Sequence, residues 1–123
     1  MTTTITKHEL NQFIGTTQYY RHPLCRTVIY TDGIKYLCDN GAAWLIDTIA
    51  SHLTPTLYKY RTLFFTLTKD DDNSATLVGV EDIDEPPIIE QHIPFTDYPL
   101  QQQNIWAAYD YQGGWVIYLP SEY

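Results

Sequence analysis

The feature that most constrains the fold is a change of hydrophobic period near the middle of the chain. Ala42, Leu45, Ile46, Ile49, Ala50 and Leu53 recur at helical spacing. From Arg61 onward, Leu63, Phe65 and Leu67 alternate with Thr62, Phe64, Thr66 and Thr68. A period near 3.6 buries one stripe of a helix and a period of two buries one face of a strand, so the two segments take different structures. The first pattern predicts a helix over residues 40–54, opened by Asp39-Asn40-Gly41 and closed by Pro55, with Asp47, Thr48, Ser51 and His52 on its solvated side. A two-stranded hairpin is marginal alone and gains stability from a helix laid across it. The expected fold class is therefore α+β: an antiparallel sheet of hairpins or a meander packed against one central helix, with a short N-terminal helix, in a single domain over 1–123.

The flanking segments fill in this scheme. Thr6, Glu9 and the pair Ile5 and Leu10 form a capping box and hydrophobic staple, and Leu10, Phe13 and Ile14 share one helix face before Gly15, which predicts the N-terminal helix. Asp32-Gly33 lies between two β-prone runs, Cys25–Thr31 and Ile34–Asp39, and predicts a tight hairpin. In that register Thr27 faces Cys38, and Cys25 is offset from Cys38 by one pair, a placement that disfavours a disulfide. Further strands are predicted over Ala75–Val80 and Ile88–Ile93, joined by the polar turn Asp70–Ser74 and the acidic turn Glu81–Pro87. Ile105–Tyr111 and Trp115–Leu119 form a last hairpin around Gln112-Gly113-Gly114, while Gln101–Gln103 is compatible with either loop or helix.

Composition limits the function classes. The net charge of −8 is unevenly spread: through Lys69 there are seven Lys/Arg against four acids, and beyond it eleven acids with no basic residue. Such a field repels phosphates, which argues against direct nucleic-acid binding and favours an unknown protein partner with a basic surface; a homo-oligomer is also compatible. No window reaches the roughly 18 to 20 apolar residues of a membrane span, and the N-terminus lacks the layout of a leader, so a cytoplasmic location without membrane contact is expected. Two cysteines do not imply an oxidising compartment.

Candidate chemistry is sparse. His22, Cys25, Cys38 and His52 have the right inventory for zinc but not the paired-knuckle spacing. Asp70, Asp72, Ser74 and Glu81 mimic a calcium loop, yet Ala75 stands where the sharp-turn glycine belongs. No metal and no cofactor is therefore expected. There is no nucleophile elbow and no phosphate-binding glycine loop, so the catalytic residues, if any, are unassigned. The eleven tyrosines fill sheet faces and also suit interfaces, and those near predicted loops (Tyr19, Tyr20, Tyr98, Tyr109, Tyr111 and Tyr123) are the interface candidates.

Five strings, Tyr20-Arg-His-Pro-Leu24, Tyr30-Thr-Asp-Gly33, Trp44-Leu-Ile-Asp47 with Ile49-Ala50, Ile93-Pro-Phe-Thr-Asp-Tyr-Pro-Leu100 and Leu119-Pro-Ser-Glu-Tyr123, resemble an uncharacterised bacterial domain family seen in cyanobacteria and Bacteroidota. The acidic stretch Glu81–Pro87 departs from the Gly/Asn-rich turn that family would have there. The resemblance implies one complete domain and supplies no activity. It draws attention to polar residues in loops, where function concentrates. The candidate binding residues are Tyr20, Arg21, His22, Asp47, Asp97, Tyr98 and Glu122, with Asp32 explained by its predicted turn and Asp97 suited to an Asx turn. Three readings follow: a non-catalytic protein-interaction module, an acidic DNA-mimic inhibitor of a nucleic-acid-binding defence protein, and a small enzyme with a His/carboxylate site. The inhibitor requires the carboxylates of residues 70–90 to share one face.

Overall fold

The computed structural model describes residues 5, 7–10, 12–53, 61–82, 84–110 and 114–122. Its frame is a seven-stranded sheet with helices on one face. The elements in chain order are α1 (Lys7–Leu10), β1 (Tyr20–Arg21), β2 (Val28–Tyr30), α2 (Asp32–Leu37), a kinked turn Cys38–Ala42, α3 (Ala43–His52), β3 (Thr62–Lys69), β4 (Ala75–Val80), β5 (Ile89–Ile93), β6 (Gln102–Asp110), β7 (Gly114–Tyr118) and a final turn Pro120–Glu122. Across the sheet the order is β1-β2-β7-β6-β3-β4-β5.

The period-two segments behave as their pattern dictates. Leu63, Phe65 and Leu67 of β3, Ala75 and Leu77 of β4, Ile105 and Ala107 of β6, and Trp115 and Ile117 of β7 are all buried on the helix side. The helical stripe Ala42, Leu45, Ile46, Ile49, Ala50 and Leu53 is buried against them. Burying such side chains at roughly 25 cal/mol per Å² of apolar surface is the main force holding the two layers together. Among the described residues, no helix is long and apolar enough to cross a membrane.

Three expectations need correction. The sheet is mostly but not wholly antiparallel: β2 runs parallel to β7, with Val28, Ile29 and Tyr30 opposite Trp115, Val116 and Ile117. Asp32-Gly33 does not form a hairpin, because Asp32–Leu37 is helical and continues through the kink into α3. Ile34, Leu37 and Cys38 have the i, i+3, i+4 spacing that extends the apolar stripe backwards, and Lys35 bonds Asp39 at 2.6 Å across one turn. The kink at Asn40 and Gly41 resets the stripe, with Gly41 at φ 97° and the Asn40 side chain donating to the Tyr36 carbonyl at 2.7 Å. The predicted N-terminal helix over Thr6–Ile14 is reduced to the single turn α1 among the described residues. Phe13 and Ile14 lie beyond it, and Ile14 is 82% exposed.

Both cysteines are free, although the hairpin register from which that was argued does not exist. Gln101–Gln103 is neither loop nor helix throughout, since β6 already begins at Gln102. The turn predicted at Gln112-Gly113-Gly114 lies largely outside the described residues, but Asp110 pairs with Gly114 as a hairpin there requires.

Candidate functional site

The polar strings of the sequence converge in two clusters at the β1–β2 side of the sheet. In the first, His22 follows β1 and is almost fully buried at 2% exposure. The backbone N–H groups of Leu24 and Cys25 donate to its Nδ1 at 3.1 and 2.9 Å. With Nδ1 accepting, Nε2 carries the ring proton and donates it to Asp47 Oδ1 at 2.7 Å. Asp47 projects from α3 with its side chain half exposed. The His22 N–H donates to the Val28 carbonyl, and the Arg21 guanidinium donates to the Arg26 carbonyl. The loop between β1 and β2 is thereby riveted to the helix, and neither ring nitrogen is left to take a substrate proton.

The second cluster surrounds the start of α2. The Thr17 N–H and hydroxyl donate to Asp32 Oδ2, and the Tyr20 hydroxyl donates to Oδ1. These bonds, led by the Thr17 N–H, hold the Asp32 carboxyl below its ordinary pKa despite some loss of hydration. Loss of hydration, then the bond to Asp32, raises the Tyr20 phenol. The Tyr20 ring stacks on Tyr30 at 5.7 Å and lies beneath Lys35 Nζ. From the far end of the chain, Glu122 Oε1 accepts the Thr31 hydroxyl at 2.6 Å and the Leu119 N–H at 3.0 Å, while Oε2 accepts the Gly33 N–H at 3.1 Å. A carboxylate at a helix N-terminus satisfies an otherwise orphaned N–H and meets the positive end of the helix dipole. Asp32 is thus a clamp at a helix start rather than a hairpin residue, and Glu122 is a cap supplied by tertiary contact.

The remaining candidates separate from these. Tyr98 is buried, and its hydroxyl donates to Gln103 Oε1 at 2.8 Å, so it belongs to the core and not to the surface. Asp97 is exposed, and the turn role considered for it is filled by Thr96, whose hydroxyl oxygen accepts the Tyr98 N–H. Tyr19 is 60% exposed and Tyr109 packs edge-on to Trp115, while Tyr111 and Tyr123 lie outside the described residues.

Among the described residues no three His, Cys, Asp or Glu side chains converge. His52 bonds Gln91, and burial, followed by the charges of Asp47 and Asp39, pushes the Cys38 thiol up to about 11. The calcium-like loop is a turn in which Asp72 Oδ1 accepts both the N–H and the hydroxyl of Ser74, and the Asn73 carbonyl accepts the Thr96 N–H. The two acidic turns sit at opposite ends of β4, a separation of about 17 Å at 3.3–3.4 Å per strand residue.

Sequence reasoning missed the surface on the other side of the sheet. Val80, Phe64, Trp106 and Tyr118 stand in one cross-strand row on the face away from the helices. Trp106 packs edge-on to Phe64 at 5.1 Å and to Tyr118 at 6.1 Å. All four are half-buried. Beside the row lies a cleft of about 330 Å³ lined by Thr16, Tyr19, Thr31, Val116, Tyr118 and Glu122. The only advance signal was that Phe64 broke the threonine alternation of β3.

The chain belongs to a family of unknown function (DUF6876), whose model matches residues 4–123. No curated protein and no solved structure matches it.

Proposed function

We propose that this family member is a non-catalytic binding module for another protein, and that its contact surface is the helix-free face of the sheet. The observation that carries the reading is the row Phe64, Trp106 and Tyr118, continued into the cleft beside Tyr19. Large aromatics give the most contact energy for the least conformational entropy, which is why they dominate protein-binding hot spots. An enzymatic reading is less well supported, because His22, which bonds the Asp47 carboxylate, has both ring nitrogens engaged. The acidic-mimic reading has less behind it, since Asp70–Asp72 and Glu81–Asp82 flank opposite ends of β4, with Glu90 on β5 opposite Val78, rather than forming one continuous run.

The test is affinity capture from extract of the cells that make the protein, comparing wild type with Trp106→Ala and Tyr19→Ala. Loss of a hot-spot aromatic costs about 2 kcal/mol or more, so a partner held by wild type is retained at least roughly tenfold less by the variants. Tyr19 is mostly exposed, which keeps its variant free of folding effects. Equal retention by all three proteins would remove this face as the contact surface.

A further inference from the structure

The strand β6 outruns its neighbour. Its ladder with β3 covers Gln102 to Ala108, while its ladder with β7 begins only at Trp106 opposite Tyr118. Continuing that second register would place Pro120 opposite Asn104, and proline has no N–H to offer a ladder. The chain instead leaves the sheet as the turn Pro120–Glu122.

The direction of the backbone groups on this overhang follows from two bonds. The Lys69 N–H donates to the Gln101 carbonyl and the Tyr109 N–H to the Arg61 carbonyl, so odd-numbered residues of this segment bond β3. The N–H and C=O groups of Gln102 and Asn104 point the other way, where no strand pairs with them among the described residues. They face a recess of about 530 Å³ walled by Leu10, Leu100, Leu119, Pro120 and Ser121. One of the four groups is covered from within: the Gln103 side-chain N–H donates to the Asn104 carbonyl at 3.0 Å, and Gln103 is itself buried and oriented by the Tyr98 hydroxyl. Three strand-type groups, carried by two residues about 6.7 Å apart, are left along one concave edge.

We propose that this recess is a strand-addition site that takes a short, uncharged, extended segment of a partner protein. The hydrogen-bonding pattern fixes the occupant as peptide backbone, since alternating donors and acceptors at that spacing are matched by another strand. The described lining consists of amides, aliphatics, a proline and a serine, with no charged side chain among the described residues, which favours an uncharged occupant because a charge brought there would be desolvated without a partner among them. The register fixes the side chains as well. A residue opposite Gln103 points to the helix side, towards Leu10 and Leu119, and is apolar. Its neighbours, opposite Gln102 and Asn104, share the solvent side with those residues and are polar. A second copy pairing through the same edge does not fit, because two recessed edges hold each other apart. The site lies apart from the aromatic sheet face and goes beyond the binding-module reading.

The probe is a library of end-blocked hexapeptides alternating Ser, Thr, Asn or Gln with Ala, Val, Leu or Ile, screened on the wild-type chain. A retained peptide is expected to shift the Gln102 and Asn104 amide resonances and to slow their hydrogen exchange. N-methylation of the peptide N–H groups that face the edge is expected to weaken binding by about tenfold, and so is Gln102→Pro, a change tolerated at the first residue of a strand. The proposal is overturned if no peptide binds below about 1 mM, if binding ignores N-methylation, or if the edge amides are protected only by concentration-dependent dimerisation. Peptides that instead move resonances of Phe64 and Trp106 overturn the edge site while leaving the binding-module reading intact.

Discussion

Gly33→Ala sets local propensity against tertiary packing, and the two predict opposite signs. Alanine is favoured over glycine within a helix by about 1 kcal/mol, so the isolated segment should gain. In the folded chain, a Cβ at position 33 would stand 2.6 Å from Glu122 Oε1 and 2.6 Å from Leu119 Cδ1, so the carboxylate must move. It then gives up its bonds from Thr31, Leu119 and Gly33. Hydrogen bonds to a charged acceptor contribute roughly 1.5–3 kcal/mol each when well buried, but Glu122 is only partly buried and recovers water on leaving, which reduces the total to about 3 kcal/mol. Setting the propensity gain against this loss leaves a destabilisation of about 2 kcal/mol, or a Tm lowered by about 6–10 °C at this chain length. Urea unfolding of wild type, Gly33→Ala, Glu122→Ala and the double variant measures the coupling, expected at about 2–3 kcal/mol. With Glu122 truncated, alanine at 33 should cost only what its contact with Leu119 imposes, less the helix-propensity gain. A single variant Gly33→Ala as stable as wild type would refute the account of Glu122 as the cap of α2.

His22→Ala should destabilise by about 3 kcal/mol through loss of three hydrogen bonds from a buried ring, and it should speed amide exchange at Leu24 and Cys25 without affecting β4 or β5. Gly41→Ala should cost about 1 kcal/mol in a denaturant melt, because φ 97° is strained for any side chain although the space beside it is open. Stability should fall as pH rises from 9 through about 11. The Cys38 thiol stays protonated there in the folded chain while its unfolded counterpart ionises, and Cys38→Ala should flatten that slope. At higher pH the buried Tyr98 phenol, also raised by burial, should extend the loss in the same direction, and Tyr98→Phe should remove its share.

Legibility in the sequence followed the range of the interaction that decided each element. The strands β3 and β4 were readable because alternation along each strand records a single buried face, and Leu63, Phe65 and Leu67 needed no knowledge of their neighbours. Asp32-Gly33 was misread because its turn-forming preference is local, whereas the helix there is favoured by a carboxylate 89 residues further on. Of the candidate residues, His22 and Asp47 stand out individually, but nothing in the chain between them, 25 positions apart, states that they meet at 2.7 Å. Tyr98 looked like a loop aromatic, and burial turned it into a core residue whose hydroxyl holds Gln103.

The chain's own pattern determined that there would be a helix with a greasy stripe and strands with one greasy face, since both periodicities are properties of neighbouring residues and of water. It also determined where the charge lies along the polypeptide. Only the folded arrangement decided that β2 and β7 run side by side in the same direction, that the far end of the chain caps α2, and that β6 is left with an unpaired edge. Those outcomes depend on pairings between residues distant in sequence, whose free energies are comparable with those of the alternatives until the whole core closes around one of them.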